Sequence, residues 1–260
     1  MNIIGIIPGR MAATRFPGKP MALIAGIPMI GHVYFRSRMS RLLNAVYVAT
    51  CDNEIADYMR RIGGQTIRTK DSHQRASDRC AEALSKIEKT SRKRADIVVM
   101  IQGDEPMVRP DMIEDAIRPL LKERSVLVSN LMERIDSREE FEDPNEIKVV
   151  IDRKSFALYF SREPIPSLKK ASAPPPMFKQ VCIIPFRRDF LYRFNRLLPT
   201  SLEKAESVDM MRVLEHGYRV KMVLTAHRTY SVDTPADLKE VERHMWTDDL
   251  YRRYEKAAAR

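Results

Sequence analysis

Each thing this sequence is short of excludes something. There are three cysteines in 260 residues, Cys51, Cys80 and Cys182, and no CxxC pair among them. An odd, scattered set excludes a disulfide scaffold and a cysteine zinc cluster, and predicts a reducing, cytoplasmic setting. No apolar run approaches the ~18–20 residues of a spanning helix, so no membrane insertion is expected. The opening Met1-Asn2-Ile3-Ile4-Gly5 lacks the basic stretch and apolar core of a secretory signal. Glycine is scarce, nine residues, yet five of them fall within the first 31. Acidic residues are missing altogether from residues 1–50, a segment with six basic ones: Arg10, Arg15, Lys19, Arg36, Arg38 and Arg41.

What is present reads as globular. A hydrophobic fraction of 44% alongside 31% charged residues is too apolar for disorder. The length suits a single domain over residues 1–260. The net charge of +10 admits nucleic-acid binding through phosphates, or a site that focuses positive field on a small, highly anionic ligand. More than half of that excess sits in the acid-free opening, with the glycines. This favours a phosphate cradle over a solvated basic face and makes nucleic acid the lesser expectation.

Apolar segments alternate in type. Asn2–Pro8, 45–50, 65–68 and 96–101 read as strands, and helices are expected from Met29, over 52–62, after Ser77 or Asp78, and over 110–122. A strand is expected at 125–129. Strand alternating with helix predicts an α/β fold, Rossmann-like, with a mainly parallel central sheet flanked by helices. The second half is less regular, a smaller mixed β subregion: strands at 148–152, 157–162, 179–186 and 219–224, a helix over 201–215, and a loop over 167–176. Val232-Asp233-Thr234-Pro235 opens a last helix, with Asp233 or Thr234 as its cap.

Ligands of such sheets bind beyond the carboxyl ends of strands. Two loops there carry chemistry. Gly9-Arg10, Arg15 and Gly18-Lys19 are not a Walker A motif but follow the same logic, with glycines for close backbone approach and cations for a polyphosphate. Gln102-Gly103-Asp104-Glu105-Pro106 puts carboxylates at another strand end, where a Mg²⁺ ligand belongs; the plain alternative for Asp104 is a turn former. No Ser-His-Asp, Cys-His or HExxH arrangement stands out. Trp246, Tyr251 and Tyr254 read as packing residues.

Taken together the motifs resemble a known family. Pro8-Gly9-Arg10, Thr14-Arg15-Phe16-Pro17-Gly18-Lys19-Pro20, His73 to Arg79 with Cys80-Ala81-Glu82, Gln102 to Pro106, Tyr159-Phe160-Ser161-Arg162 and Val232-Asp233-Thr234-Pro235 occur in the order of the 3-deoxy-manno-octulosonate (KDO) cytidylyltransferases. The resemblance spans about residues 2–245 and implies a nucleotide-diphospho-sugar transferase fold. It implies that CTP binds through Gly9, Arg10, Arg15, Lys19, His73, Ser77, Arg79 and Gln102. Arg10, Lys19 and Asp104 carry the catalysis, Asp104 and Asp233 hold Mg²⁺, and Arg162, Gln180 and Asp209 meet an acidic acceptor. It also implies a homodimer, with residues 140–200 contributing dimer contacts and acceptor binding.

There are departures. The nucleotide loop of the family reads His-x-Ser-Gly-Thr, where this chain has Arg75-Ala76-Ser77. The family places a sugar-contacting His and Tyr at Gln180 and Ile184, and a Glu-Gln pair at Asp209-Met210. Losing hydroxyl-binding groups together predicts an altered acceptor, another ulosonic acid or a smaller anion such as a phosphonate. A protein that binds nucleotide or nucleic acid without catalysis is the competing expectation.

Overall fold

The structure, a computed structural model, describes residues 1–12, 16–169 and 175–258. In chain order it runs β1 (Ile3–Gly9), a 3-10 turn (Lys19–Met21), β2 (Leu23–Ile24), β3 (Ile27–Pro28), α1 (Met29–Arg38), β4 (Ala45–Thr50), α2 (Asn53–Arg61), β5 (Thr66–Arg68), α3 (Ala76–Ser91), β6 (Ile97–Ile101) and α4 (Pro110–Lys122). There follow β7 (Ser129–Arg134), α5 (Arg138–Glu142), β8 (Lys148–Ile151), β9 (Ala157–Ser161), β10 (Phe178–Val181), β11 (Ile183–Arg187), α6 (Arg188–Arg196), α7 (Ser201–Glu206), α8 (Asp209–Glu215), β12 (Lys221–Leu224), α9 (Pro235–Met245) and α10 (Tyr251–Ala258). The chain forms two compact units, Met1–Glu114 with Thr229–Arg260, and Asp115–Arg228.

In the first unit β1 lies between β4 and β6, and β5 pairs with β4, all of them parallel. The expected α/β architecture is present. Ile3, Ile4, Ile6 and Ile7 are all buried, as they must be in a strand covered on both faces. Parallel direction puts the carboxyl ends of β1, β4, β5 and β6 on one rim. The last two helices close a second core against the β2–β3 hairpin and α1, formed by Ile24, Ile27, Met29, Val241, Met245, Tyr251 and Tyr254. Tyr251 and Tyr254 pack as expected, whereas Trp246 is 58% exposed.

The second unit is a mixed sheet of order β12-β7-β10-β8-β9. Only β12 and β7 run parallel; the other pairs are antiparallel. Bonds from Ala157 N–H to the Val220 carbonyl and from Met222 N–H to the Ser155 carbonyl tie the start of β9 to β12, so the sheet curls back on itself.

Several boundaries differ from expectation. The strand expected at 125–129 begins at Ser129. The strand over 179–186 breaks at Cys182, and the helix over 201–215 breaks at Ser207, which has φ 54. Helix α3 starts at Ala76 behind Arg75, so Ser77 and Asp78 lie inside it rather than capping it.

Candidate active site

Strand β1 ends at Gly9 and β6 at Ile101, and their register puts Ile6 opposite Met100. The two following loops therefore begin side by side. Gly103 makes this possible: a Cβ there would lie 3.2 Å from the Pro8 carbonyl oxygen and 3.1 Å from Ile30 Cδ1. The Arg10 side chain, just past β1, has no hydrogen-bond or ion-pair partner among the described residues, and neither has that of Gln102. The loop is anchored where Met11 N–H donates to the Asp52 carboxylate at 2.9 Å, and it returns through Gly18 N–H to the Met11 carbonyl at 3.0 Å. Gly18 adopts φ 73, a left-handed conformation that suits glycine, and sends the chain into the turn that begins with Lys19.

Lys19 is the hub. Its Nζ lies 3.0 Å from Asp104 Oδ2 and 3.1 Å from Asp233 Oδ1. Burial alone lowers the Lys19 pKa, but the carboxylates of Asp104 and Asp233 outweigh it and the net direction is upward. Backbone pairing sets the two acids side by side, since Val232 N–H donates to the Asp104 carbonyl at 3.0 Å. The cap of α9 falls to Thr234, in a reciprocal box with Asp237. That frees the Asp233 side chain to face Lys19, resolving the choice the sequence left open.

The segment from His73 to Arg79 leads from β5 into α3. His73 Nε2 lies 2.5 Å from Glu82 Oε2, which also accepts from Lys70 N–H at 2.9 Å, while Lys86 reaches the other oxygen at 2.8 Å. Burial pushes the Glu82 carboxyl up; hydrogen bonds from Lys86, Lys70 N–H and His73 outweigh it and hold it at about 2. Ser77 and Arg79 are buried. Arg79 donates to Thr69 Oγ1 at 2.6 Å and to the Lys70 carbonyl at 3.3 Å, so it braces the loop from beneath.

Lys19, Asp104 and Asp233 are thus brought together, with Gly9, Arg10 and Gln102 on the adjoining strand ends. Arg15 lies outside the described residues. The acceptor candidates belong to the second unit. Arg162 follows β9 and donates to the carbonyls of Glu206 and Pro144, both at 2.8 Å. Gln180, on β10, donates from Nε2 to Asn130 Oδ1 at 2.5 Å. Asp209 opens α8. Asp52 was not singled out beforehand, and Glu82 was quoted within the family motif without a role. Glu82 carried one faint signal, a lysine four residues on along the same helix.

Among the described residues no group of three or more His, Cys, Asp or Glu side chains could enclose a metal. Asp104 and Asp233 nevertheless converge on one cation. Two partly exposed carboxylates are the oxygen donors Mg²⁺ favours, with substrate phosphate and water as its other ligands, so the residues fit that ion.

The cytidylyltransferase family profile matches residues 4–251. A 3-deoxy-manno-octulosonate cytidylyltransferase of Geobacter sulfurreducens is 44% identical over 93% of this chain and 98% of its own. One from Solibacter usitatus is 40% identical over 93% of this chain and 94% of its own. A solved structure of CMP:2-keto-3-deoxy-manno-octonic acid synthetase complexed with CTP superposes with a TM-score of 0.87 at 35% identity, over 95% of this chain and 99% of that one. By that profile over nearly its whole length and by relatives of this identity and coverage, the chain belongs to the 3-deoxy-manno-octulosonate cytidylyltransferase family.

Proposed function

We propose that this protein transfers CMP from CTP to an acidic acceptor of the 3-deoxy-ulosonic acid class, releasing pyrophosphate, with Mg²⁺ held by Asp104 and Asp233. The observation that carries this reading is the convergence of the two carboxylates on one cation at 3.0 and 3.1 Å, beside an Arg10 with no partner among the described residues. Bound there, the ion neutralises phosphate charge and polarises the phosphoryl group. Arg10 and Lys19 bind the triphosphate and stabilise the charge that develops on the departing pyrophosphate; the resemblance adds Arg15. His73, oriented by Glu82, and Gln102 meet the cytidine side of the nucleotide. The acceptor oxygen bonds to the α-phosphorus in line, and the bond from that phosphorus to the bridging oxygen of pyrophosphate breaks. The electron pair leaves on pyrophosphate, and the proton of an acceptor hydroxyl passes to solvent. Such chemistry relies on positioning and charge neutralisation, so no nucleophilic triad is required. Cytoplasmic action as a homodimer belongs to the same reading and rests on the resemblance.

One observation favours a second reading of the acceptor. Ile184 and Met210, where the family carries polar sugar contacts, are buried apolar side chains, and the Gln180 amide group is turned onto Asn130. An acceptor with fewer or differently placed hydroxyls, or a phosphonate, suits that set. Pyrophosphate release from CTP and Mg²⁺, measured with KDO, other 2-keto acids and phosphonates, tests both readings. Release is expected with at least one acid, and Asp104→Asn is expected to lower kcat by about 100-fold or more. Retained activity in that variant refutes the metal assignment. KDO turnover as efficient as with any other acid refutes the altered acceptor.

A further inference from the structure

The two carboxylates assigned to Mg²⁺ already hold a cation, the ammonium of Lys19, and it is part of the chain. Asp104 and Asp233 side chains are 27% and 24% exposed and that of Lys19 13%. Two anions drawn together in such a half-hidden place repel each other unless a positive charge lies between them. Lys19 offers a single positive charge to both carboxylates. A divalent ion would bring the carboxylates to neutrality, and an ammonium held at the same focus would then be repelled by it.

We propose that Lys19 is a resident counter-ion that occupies the focus of Asp104 and Asp233 in the free protein and that the incoming divalent ion must displace, while the backbone bond from Val232 N–H to the Asp104 carbonyl keeps the two acids side by side. The displaced ammonium moves to the nucleotide phosphates. Lys19 is built for such a transfer: it opens the turn behind the left-handed Gly18, and its side chain is long and flexible. Arg10 has no carboxylate partner among the described residues, so it meets the phosphates at once. Metal binding to the free protein is therefore weakened by the ion pairs it must break. Nucleotide, by giving Lys19 a new partner, removes that opposition and makes metal and nucleotide binding mutually supportive.

The inference rests on the metal reading above, and its test separates the two. Mn²⁺ binding is titrated by electron paramagnetic resonance on nucleotide-free protein, for wild type, Lys19→Met, Lys19→Gln, Asp104→Asn and the Lys19→Met/Asp104→Asn pair. The uncharged variants are expected to bind Mn²⁺ about tenfold more tightly than wild type, and Asp104→Asn to abolish the gain. A Lys19 that merely braces the fold gives the opposite result, because the carboxylates splay without it. Binding at or below wild-type affinity in Lys19→Met, with Asp104 still required, overturns the resident counter-ion and leaves the metal site standing. Absence of any Asp104-dependent Mn²⁺ binding overturns both. Should the variants misfold by circular dichroism, reductive methylation of wild-type Lys19 decides instead. Mg²⁺ alone, without nucleotide, is expected to speed modification of Lys19 relative to the other lysines, and an unchanged rate overturns the proposal.

Discussion

At the scale of single residues, two buried or half-buried cations are held by backbone carbonyls rather than by acids. Lys148 is completely buried, and its ammonium donates to the carbonyls of Asp143, Glu146 and Arg162 at 2.8, 2.7 and 2.5 Å. Burial pushes its pKa down. Arg187 likewise donates to the carbonyls of Leu120, Val126 and Glu123 at 2.8, 2.9 and 2.9 Å, closing the end of α4. A cation satisfied by carbonyl dipoles adds net charge without recruiting an acid, so part of the +10 is internal scaffolding. Lys179 shows the contrary solution, gathering Glu133, Glu140 and Glu146 around one ammonium. Lys148→Met would strand three carbonyls and remove three charge-assisted bonds, a loss of about 3 kcal/mol or more. Urea unfolding is expected to show a lowered midpoint with an unchanged slope; a variant within about 0.5 kcal/mol of wild type would rule out the strut.

At the scale of elements, α1 and α2 approach closely because α1 carries Gly31. A Cβ there would lie 2.1 Å from Tyr58 Oη and 3.1 Å from Ile27 Cγ2. The Tyr58 hydroxyl is itself buried and has no hydrogen-bond partner among the described residues. Gly31→Ala is expected to cost about 1–3 kcal/mol from overpacking, even though alanine favours a helix. Tyr58→Phe alone should be neutral or slightly stabilising, because it removes an unsatisfied hydroxyl. In the double variant the penalty should shrink, and strict additivity by thermal melts would refute the contact. The elements that sequence made legible were those with a single clean period. β1, β4 and β6 follow expectation because each is apolar and each is followed by a polar or glycine turn, and the short β5, Thr66–Arg68, was legible from its place between the Gly63-Gly64 break and α3. β7 was misplaced because it buries Asn130 and Glu133, polar residues answered across the sheet by Gln180 and Lys179. Cys182 and Ser207 interrupt a strand and a helix with no proline or glycine to announce it, and α5, α6 and α10 carried no signal strong enough to predict them. The site was legible where it is local, at Lys19 and Asp104. Asp233 is set beside Lys19 only because Thr234 takes the cap, a choice that the sequence leaves open. The pairing of Glu82 with His73 stayed hidden because His73 precedes the helix.

At the scale of the whole molecule, one group in the core that joins both ends of the chain makes stability sensitive to mild acid. His32 is fully buried between α1 and α10, with Nε2 2.8 Å from the Ile24 carbonyl and Nδ1 2.7 Å from Tyr254 Oη. A carbonyl only accepts, so Nε2 carries the proton and Nδ1 accepts from the tyrosine: the ring is neutral. Arg36 stands on the other side of the same hydroxyl, paired to Asp248 at 2.5 Å. Burial, with Arg36 adding to it, lowers the His32 pKa to about 4 from its ordinary 6.5. The unfolded chain therefore binds a proton near pH 6.5 that the folded chain refuses until about pH 4. Between those values the unfolded state holds more protons, so the stabilisation from a neutral His32 is complete above pH 6.5 and is lost as pH falls through the window. The loss amounts to about 2 kcal/mol by pH 5 and about 3 kcal/mol by pH 4. Glu82, held at about 2, adds its own loss only below its ordinary 4.5. Trp246, the one tryptophan, lies edge-on to Tyr251 at 5.8 Å and so reports on this core by fluorescence. Urea midpoints followed at Trp246 should fall between pH 7.5 and pH 5 in wild type. They should fall less in His32→Gln, whatever that variant's stability at pH 7.5. Equal losses in the two proteins would mean that the acid sensitivity lies elsewhere and that His32 is merely packed.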